Sequence, residues 1–531
     1  MSDATPSLSE DRPRGGHLGQ LTRHSGLLLV GDVLSRGLGF LLLPLYTGFL
    51  SAVDFGDWDT LLLAGTLLSL LAAHGMNSAL LWAWRTGGTN GGVALDDAGR
   101  RELVASVMGW SLLCNVVLCG AAMAFAQPLA ELAVRRSGDE ALGTLLRLVI
   151  AGLVLRNMTY PGEAVLKLRM QSGALMTMRL AEAGVALVGN VVTIAFLGMG
   201  LAGLAWSFCI AAIARLIVVV HAVGEMRRPR LALALMPPLL RYGLPFLPQA
   251  MAFMALTMID RVILKQYGLD AEAGVYSYGD RFARIVEFAL ISPLTAMWAA
   301  IMFNVAEEKD AQRQFARAAT LWCAVGGLCA FVLTLLGGPL VRLMDSSTGL
   351  INPIDRLFAT GGTFAEGARV IGVLAAGYVL YGLHDVARVG FAVTGRTRWM
   401  PVSVCTALVV NVVLNVWWIP IWGAVGAAWA TLAAYAWMNV FSLLLSERIY
   451  PQRWEWGRLA HLGLVLVGGT LLVSALAPPD HTWTGLIVRL GAIALAPLVL
   501  WTTGFLRPDD QALVRAWLAC RAAALPGRRR G

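Results

Sequence analysis

The sequence predicts an all-α integral membrane protein of about 14 transmembrane helices, with two parallel six-helix lobes around a central cavity and two extra C-terminal helices. Three observations predict it. Of 531 residues, 57% are hydrophobic and only 14% charged, whereas a soluble chain carries charge on about a quarter of its residues. The apolar residues come in runs of about 20, the length that crosses a hydrocarbon core of roughly 30 Å. A sequence motif also recurs six spans apart. The 57 glycines suit helices that pack closely in a membrane.

Residues 1–25 are polar and read as a cytoplasmic N-terminal segment. They contain no short apolar core followed by a small-residue site, so no cleaved signal peptide is expected. Apolar spans follow near 26–48, 58–82, 104–126, 143–164, 176–198 and 200–221, giving an N-lobe over 26–225. Six more, near 238–267, 276–302, 318–340, 367–390, 401–419 and 423–446, give a C-lobe over 238–446. Spans near 458–477 and 483–504 are the extra helices 13 and 14 over 458–504, and 505–531 is a basic cytoplasmic tail. Within the tail, Asp509–Ala524 reads as an amphipathic surface helix, with Trp517 and its arginines suited to the headgroup layer.

The cations divide by side. One set of connections holds Arg12, Arg14 and Arg23; Arg85, Arg100 and Arg101; Lys167 and Arg169; Arg227, Arg228 and Arg230. The same side continues with Lys309, Arg313 and Arg317; Arg396 and Arg398; Arg448 and Arg453. The other side holds Arg135, Arg136, Arg342 and Arg356. This bias predicts both termini in the cytoplasm and an even number of spans. It also gives the net charge of +9 a topological reading. No basic motif alternates with aromatics on a soluble module, so no nucleic-acid partner is expected. The seven cysteines include no CxxC pair, which argues against a zinc site or a disulfide frame. No phosphate-binding loop of the form G-x-x-x-x-G-K-[ST] is present. No cofactor is expected, and coupling to an H+ or Na+ gradient, or to the membrane potential, is the remaining energy source.

The repeat lies at Gly200-Leu-Ala-Gly203-Leu-Ala205-Trp206 and Gly423-Ala-Val-Gly426-Ala-Ala428-Trp429. Both copies obey G-x-x-G-x-A-W, and both follow an Asn-Val-Val, at Asn190 and Asn411. A second echo pairs Leu50-Ser-Ala-Val-Asp-Phe-Gly56 with Leu269-Asp-Ala-Glu-Ala-Gly274. Six crossings restore orientation, so the halves are expected to be parallel repeats about an axis along the membrane normal, an alternating-access design.

Several strings resemble a known family. Leu21-Thr-Arg23-His-Ser25, Ser35-Arg36-Gly-Leu38-Gly39-Phe40, Pro44-Leu-Tyr46 and Asp54-Phe-Gly56 look like the start of polysaccharide (O-antigen type) flippases. These belong to the multidrug/oligosaccharidyl-lipid/polysaccharide (MOP) exporter superfamily, and the Ser-Arg-x-Leu-Gly-Phe string is also similar to lipid II flippases. Pro245, Pro248, Asp260-Arg261 and Gly274-Val-Tyr276 resemble the family too. So does the run from Asn411 and Asn415 through Pro420, Gly423 and Gly426 to Ala430-Thr431. The resemblance spans essentially the whole chain. It implies a two-lobed transporter, not an enzyme, in the bacterial inner membrane, with a lipid-pyrophosphate-linked oligosaccharide as cargo. The expected partners are that substrate, membrane lipids, and the polymerase and glycosyltransferases of the same pathway. Alternatives are a lipid II flippase, a multidrug or cation antiporter of the superfamily, or a polytopic glycosyltransferase or polymerase. The last needs acid or base groups on large outward loops, and only Asp54, Asp57 and Asp59 cluster at an outward turn.

Charged residues inside spans mark the candidate site, because each costs at least about 2.5–3.5 kcal/mol at mid-bilayer unless paired or hydrated. Arg36, Arg156, Arg261, Arg284 and Arg281 are the expected substrate-binding residues, since guanidinium forks bond phosphate oxygens bidentately. Asp32, Asp260 and Asp280 are the expected ion-coupling carboxylates. The competing reading makes Asp32–Arg36 and Asp280–Arg284 neutralised structural pairs. Arg215 and Arg388, near span ends, are expected to snorkel.

Overall fold

Helices account for every regular element among the described residues. The structure, a computed structural model, describes residues 31–507 except 32, 33, 36, 88–94, 135–137, 170, 292–297, 299–301, 303, 304, 307, 309, 347–361, 395 and 397. In chain order the helices are α1 (Leu43–Phe49), α2 (Ala52–Ala73), α3 (Met76–Thr86), α4 (Asp97–Cys114) and α5 (Ala126–Val134). They continue with α6 (Glu140–Asn157), α7 (Tyr160–Leu168), α8 (Ser172–Asn190), α9 (Gly200–Ala222), α10 (Met236–Gly243), α11 (Phe246–Gln266) and α12 (Asp270–Ala283). The last six are α13 (Ala311–Met344), α14 (Ala368–Ala387), α15 (Val389–Val393), α16 (Trp399–Ile449), α17 (Trp456–Leu476) and α18 (Trp483–Thr502).

Among these residues 11 stretches are long and apolar enough to cross a membrane, against the expected 14. The first expected span falls partly outside the described residues, and the eighth begins as the polar α12 and meets the undescribed stretch 292–297. One stretch, α16, carries two expected spans. At 51 residues it exceeds a single crossing, and Gly423 breaks it with φ 55 and ψ −133. Pro420 precedes the break. The N–H freed at Ala424 is capped by Glu272 Oε2 at 2.7 Å, so a new helix starts there.

The chain forms two compact units. Unit 1 comprises residues up to Leu42 with Leu68–Ala126 and Thr144–Leu247. Its core gathers Leu80, Val104, Val107, Val165, Met178, Val219 and Leu239 from α3, α4, α7, α8, α9 and α10. Gly75 (φ 73) starts α3 against Gly243, where a Cβ would fall 2.1 Å from a carbonyl oxygen. Unit 2 comprises Leu43–Leu67, Gln127–Gly143 and the chain from Pro248 onward. In it α2 begins on a reciprocal cap: Asp54 Oδ2 accepts from the Ser51 N–H at 3.0 Å, and Ser51 Oγ accepts from the Asp54 N–H at 3.1 Å. The start of α2 then lies directly on α12. A Cβ on Gly274 would stand 1.7 Å from the Ala52 carbonyl oxygen, and one on Gly56 would stand 3.0 Å from the Gly274 nitrogen.

The repeat has a structural counterpart. Gly200 and Gly423 both take positive φ, at 54° and 55°, a conformation open to glycine at little cost. The second glycine of each motif lies against the preceding helical leg, Gly203 on Thr193 and Gly426 on Trp418.

The C-terminal pair α17 and α18 packs on α13 through Phe331, Leu335, Leu462, Leu466, Val473, Ala496 and Leu500. Arg342 pairs with Asp480 at 3.1 Å at one end of this packing. At the other end Glu455 takes both Arg458, at 2.6 Å, and Arg507, at 2.8 Å. Outward faces stay apolar, with Leu464, Leu471, Leu476, Ile487 and Leu498 exposed. Such a surface fits a hydrocarbon solvent.

Candidate functional site

Unit 2 holds a buried charge cluster whose members come from four elements. Asp59 is on the second turn of α2, Arg261 on α11, and Asp280 and Arg281 on α12; Arg284 caps α12 and Glu287 opens the π turn that follows. Helical spacing puts Asp280, Arg284 and Glu287 on one face. Arg261 is 2% exposed. Its Nε donates to Ser277 at 2.8 Å, its Nη1 to the Thr257 carbonyl at 3.1 Å, and its Nη2 to Asp280. Asp59 stands 3.5 Å away on the other side.

Asp280 also accepts from Arg284 Nε at 2.8 Å and from the Tyr378 hydroxyl at 2.7 Å. Arg284 reaches Glu287 at 3.1 Å and lies over the Tyr378 ring. Arg281 reaches Asp59 at 3.4 Å and stacks over Phe55, 4.2 Å from the ring centroid. Below them, Lys265 pairs with Asp57, both fully buried.

The expected residues thus divide. Arg261 spends its donors inside the protein. Arg281 and Arg284 keep side-chain exposures of 27% and 29%. Asp280–Arg284 is an ion pair, as the structural reading expected. Arg156 lies in unit 1, 40% exposed, with Nε 3.7 Å from Glu182. Asp32 and Arg36 lie outside the described residues.

Asp260, one residue before Arg261, points to a different environment. It is 1% exposed and accepts only from neutral groups: Tyr276 Oη at 2.6 Å, Thr431 Oγ1 at 2.6 Å and Asn415 Nδ2 at 2.6 Å. Asn411 closes the ring, accepting from Asn415 at 3.0 Å and donating to Thr431 at 3.4 Å. Asn415 Oδ1 is buried with no hydrogen-bond partner. Among the described residues this carboxylate makes no ion pair. A buried carboxylate ringed by neutral polar groups suits a proton or a small hard cation. No group of three His, Cys, Asp or Glu side chains able to hold a metal is found among the described residues.

Several functional candidates escaped the sequence reading. Asp57 and Asp59 were weighed only as outward acids, and their cationic partners lie some 200 positions on. Arg215, expected to snorkel, is 5% exposed. It donates to Thr159 at 2.9 Å, Glu182 at 2.5 Å and Glu163 at 2.7 Å. Glu163 and Glu182, acidic residues inside apolar spans, were the available signal.

A family model described as polysaccharide biosynthesis protein matches residues 21–301. No curated protein matches the chain. Among solved structures, the lipid II flippase MurJ in an inward closed conformation superposes with a TM-score of 0.72 at 12% identity, covering 90% of this chain and 98% of that one. An inward-facing multidrug resistance MATE transporter of the MOP superfamily gives 0.55 at 14% identity, covering 81% and 98%. A mutant of the Vibrio cholerae MATE transporter VcmN gives 0.52 at 16% identity, covering 81% and 96%. The fold is therefore that of MOP-superfamily membrane transporters.

Proposed function

Because the chain belongs to the polysaccharide biosynthesis protein family, we propose that it flips a polyprenyl-pyrophosphate-linked oligosaccharide from the inner to the outer leaflet of the bacterial inner membrane. Its family and its solved relatives are transporters and flippases, not enzymes. The observation that carries the cargo reading is the half-exposed pair Arg281 and Arg284, held on α12 by a fully buried Asp59–Arg261–Asp280 chain. A pyrophosphate cannot shed its water into hydrocarbon without replacement donors. Guanidinium groups fixed by aromatic faces and carboxylates supply them with little entropy left to lose. Arg156, 40% exposed within unit 1, and Arg36 are proposed as further substrate-binding residues. The two like-oriented halves then alternate access to the two leaflets. Both termini are assigned to the cytoplasm from the distribution of cations.

Asp260 is proposed as the coupling site, held in place by Asn415 and Thr431 with Asn411 behind them. Asp280, committed to two arginines, serves instead to position them.

The test is to delete the gene and follow lipid-linked glycans by leaflet. The expected result is accumulation of one such glycan on the cytoplasmic leaflet, reversed by the intact gene and not by Arg284→Ala. Accumulation of lipid II alone shifts the cargo to peptidoglycan precursor. No accumulation of any lipid-linked glycan sinks the reading. For coupling, flipping by reconstituted Asp260→Asn is expected to lose the dependence on sodium or pH that the unaltered protein shows.

A further inference from the structure

The second leg of α16, after Gly423, runs beside α14 in the same direction. Gly377 lies against Leu432 and Tyr435, and Gly390 lies against Ser446 and Tyr450. Between these points Asn439 Nδ2 donates to the Leu380 carbonyl at 2.7 Å. His384 lies one helical turn beyond Leu380, and Ser442 one turn beyond Asn439.

This seam is polar and buried. His384 is 4% exposed, Asn439 4%, Ser442 0% and Ser446 2%. Both ring nitrogens of His384, Asn439 Oδ1, and the hydroxyls of Ser442 and Ser446 have no hydrogen-bond partner. Just past the helix end the pattern continues with both amide atoms of Gln452 and with Trp454 Nε1. An unpaired buried polar atom costs about 1–3 kcal/mol, so the five along the seam call for hydrogen-bond partners. Donors and acceptors of both kinds along one helix face suit ordered water.

The seam leads somewhere. Thr431, Tyr435, Asn439, Ser442 and Ser446 recur every three or four residues, so they form one face of the helix. Thr431 at the head of this face donates to Asp260. Ser446 at its foot is beside Tyr450, where the helix ends. Tyr435 interrupts the row. Its ring is 1% exposed and packs 5.7 Å from the Tyr381 ring. Arg388, on the α14 side of the foot, pairs with Asp385, so its charge is balanced.

We propose that this seam holds a file of water and is the route by which the coupling cation leaves the Asp260 cage for the membrane face bearing Tyr450, with Tyr435 as its gate. The inference rests on Asp260 being the coupling site. A small cation crossing a dry helix seam loses its hydration without compensation. Hydroxyl, amide and imidazole groups spaced one turn apart replace that hydration stepwise, as pore-lining groups do.

The experiment places single cysteines in a background whose seven native cysteines are replaced. Ser442→Cys and Ser446→Cys are close in size to the native residue, and Ser403→Cys is the dry control, since Ser403 is fully buried with its hydroxyl bonded to the Met400 carbonyl. Aminoethyl methanethiosulfonate reacts with thiols that water reaches. Labelling of Ser446→Cys and Ser442→Cys well above the Ser403→Cys control is expected. Labelling no faster than the control, in protein that still flips, overturns the proposal. As a second measurement, the pair His384→Leu with Ser442→Ala is expected to slow ion-driven flipping about tenfold, with equilibrium ion binding unchanged. A raised melting temperature with unchanged flipping marks a dry seam and overturns it equally. Asp260→Asn separates the two readings. If that variant keeps its ion dependence, the coupling site is wrong and this route falls with it. If it loses the dependence while the seam cysteines stay unlabelled, only the route is wrong.

Discussion

Among the described residues each unit buries one arginine, and the two are held in different ways. In unit 1, Arg215 is gripped by two carboxylates from different helices, Glu163 of α7 and Glu182 of α8, and by Thr159. Those carboxylates also take Lys167 at 2.9 Å and Arg156 at 3.7 Å, and with Arg179 near Glu163 the cations outnumber the two anions. In unit 2, Arg261 lies between Asp280 and Asp59, which also take Arg284 and Arg281, and Glu287 closes the chain. There three cations face three anions, and aromatic rings cover the rest. The first arrangement has an excess of cations, with Lys167 and Arg156 its exposed members. The second is neutral and locked, and it serves to hold two arginines in place. A buried arginine is thus a structural statement or a functional one according to how its neighbours balance it.

The largest expected effect tests the lock. Asp280→Asn removes the carboxylate shared by Arg261 and Arg284 and leaves a buried guanidinium with only Asp59 near it. Breaking such a pair costs about 3–5 kcal/mol, read as a marked drop in melting temperature in detergent. Adding Arg261→Met to Asp280→Asn is expected to recover much of the loss, because the stranded charge is then gone. If the single variant melts like the unaltered protein, the cluster is not the lock described.

Glu182→Gln sharpens the contrast. Arg215 keeps Glu163, so the expected cost is smaller, about 1–2 kcal/mol, and only the double variant with Glu163→Gln should approach the effect of Asp280→Asn. Next come the exposed members. Arg156→Ala and Arg284→Ala are each expected to cut flipping about tenfold. Melting should move little for Arg156→Ala and more for Arg284→Ala, whose partner Asp280 is buried. Equal losses of stability for both would erase the difference between the units.

The smallest effect concerns pH. Glu225, on the connection after α9, is raised by burial but lowered more by its hydrogen bond from Arg169 at 2.6 Å and by the nearby Arg101, so its carboxyl titrates below the usual range. A depressed carboxyl contributes stability above its unfolded pKa of about 4.3, and that contribution disappears as pH falls through the folded value. The melting difference between the unaltered protein and Glu225→Gln is therefore expected at pH 7 and absent in strong acid. A difference that grows on acidification contradicts the pairing.

Membrane class, helical fold and the repeat were legible because their causes are local and additive. Each apolar residue adds its own transfer free energy, so a run of about 20 declares itself. A glycine in a left-handed turn acts on its own φ, so Gly200 and Gly423 could be matched by spacing alone. The count of spans was less legible, because α12 is too polar to read as apolar and α16 joins two crossings through a bend.

By itself, then, the sequence determined the solvent and which face of its helix each charge occupies. Tertiary structure alone decided the partners: Asp57 with Lys265, Asp59 with Arg261, Glu163 and Glu182 with Arg215, and Glu272 with the Ala424 N–H. The reason is that helical period fixes direction about one axis, whereas a charge–charge contact depends on how several axes pack. In a medium that penalises every unpaired charge, that packing separates the arginines sealed inside from the ones left to meet a ligand.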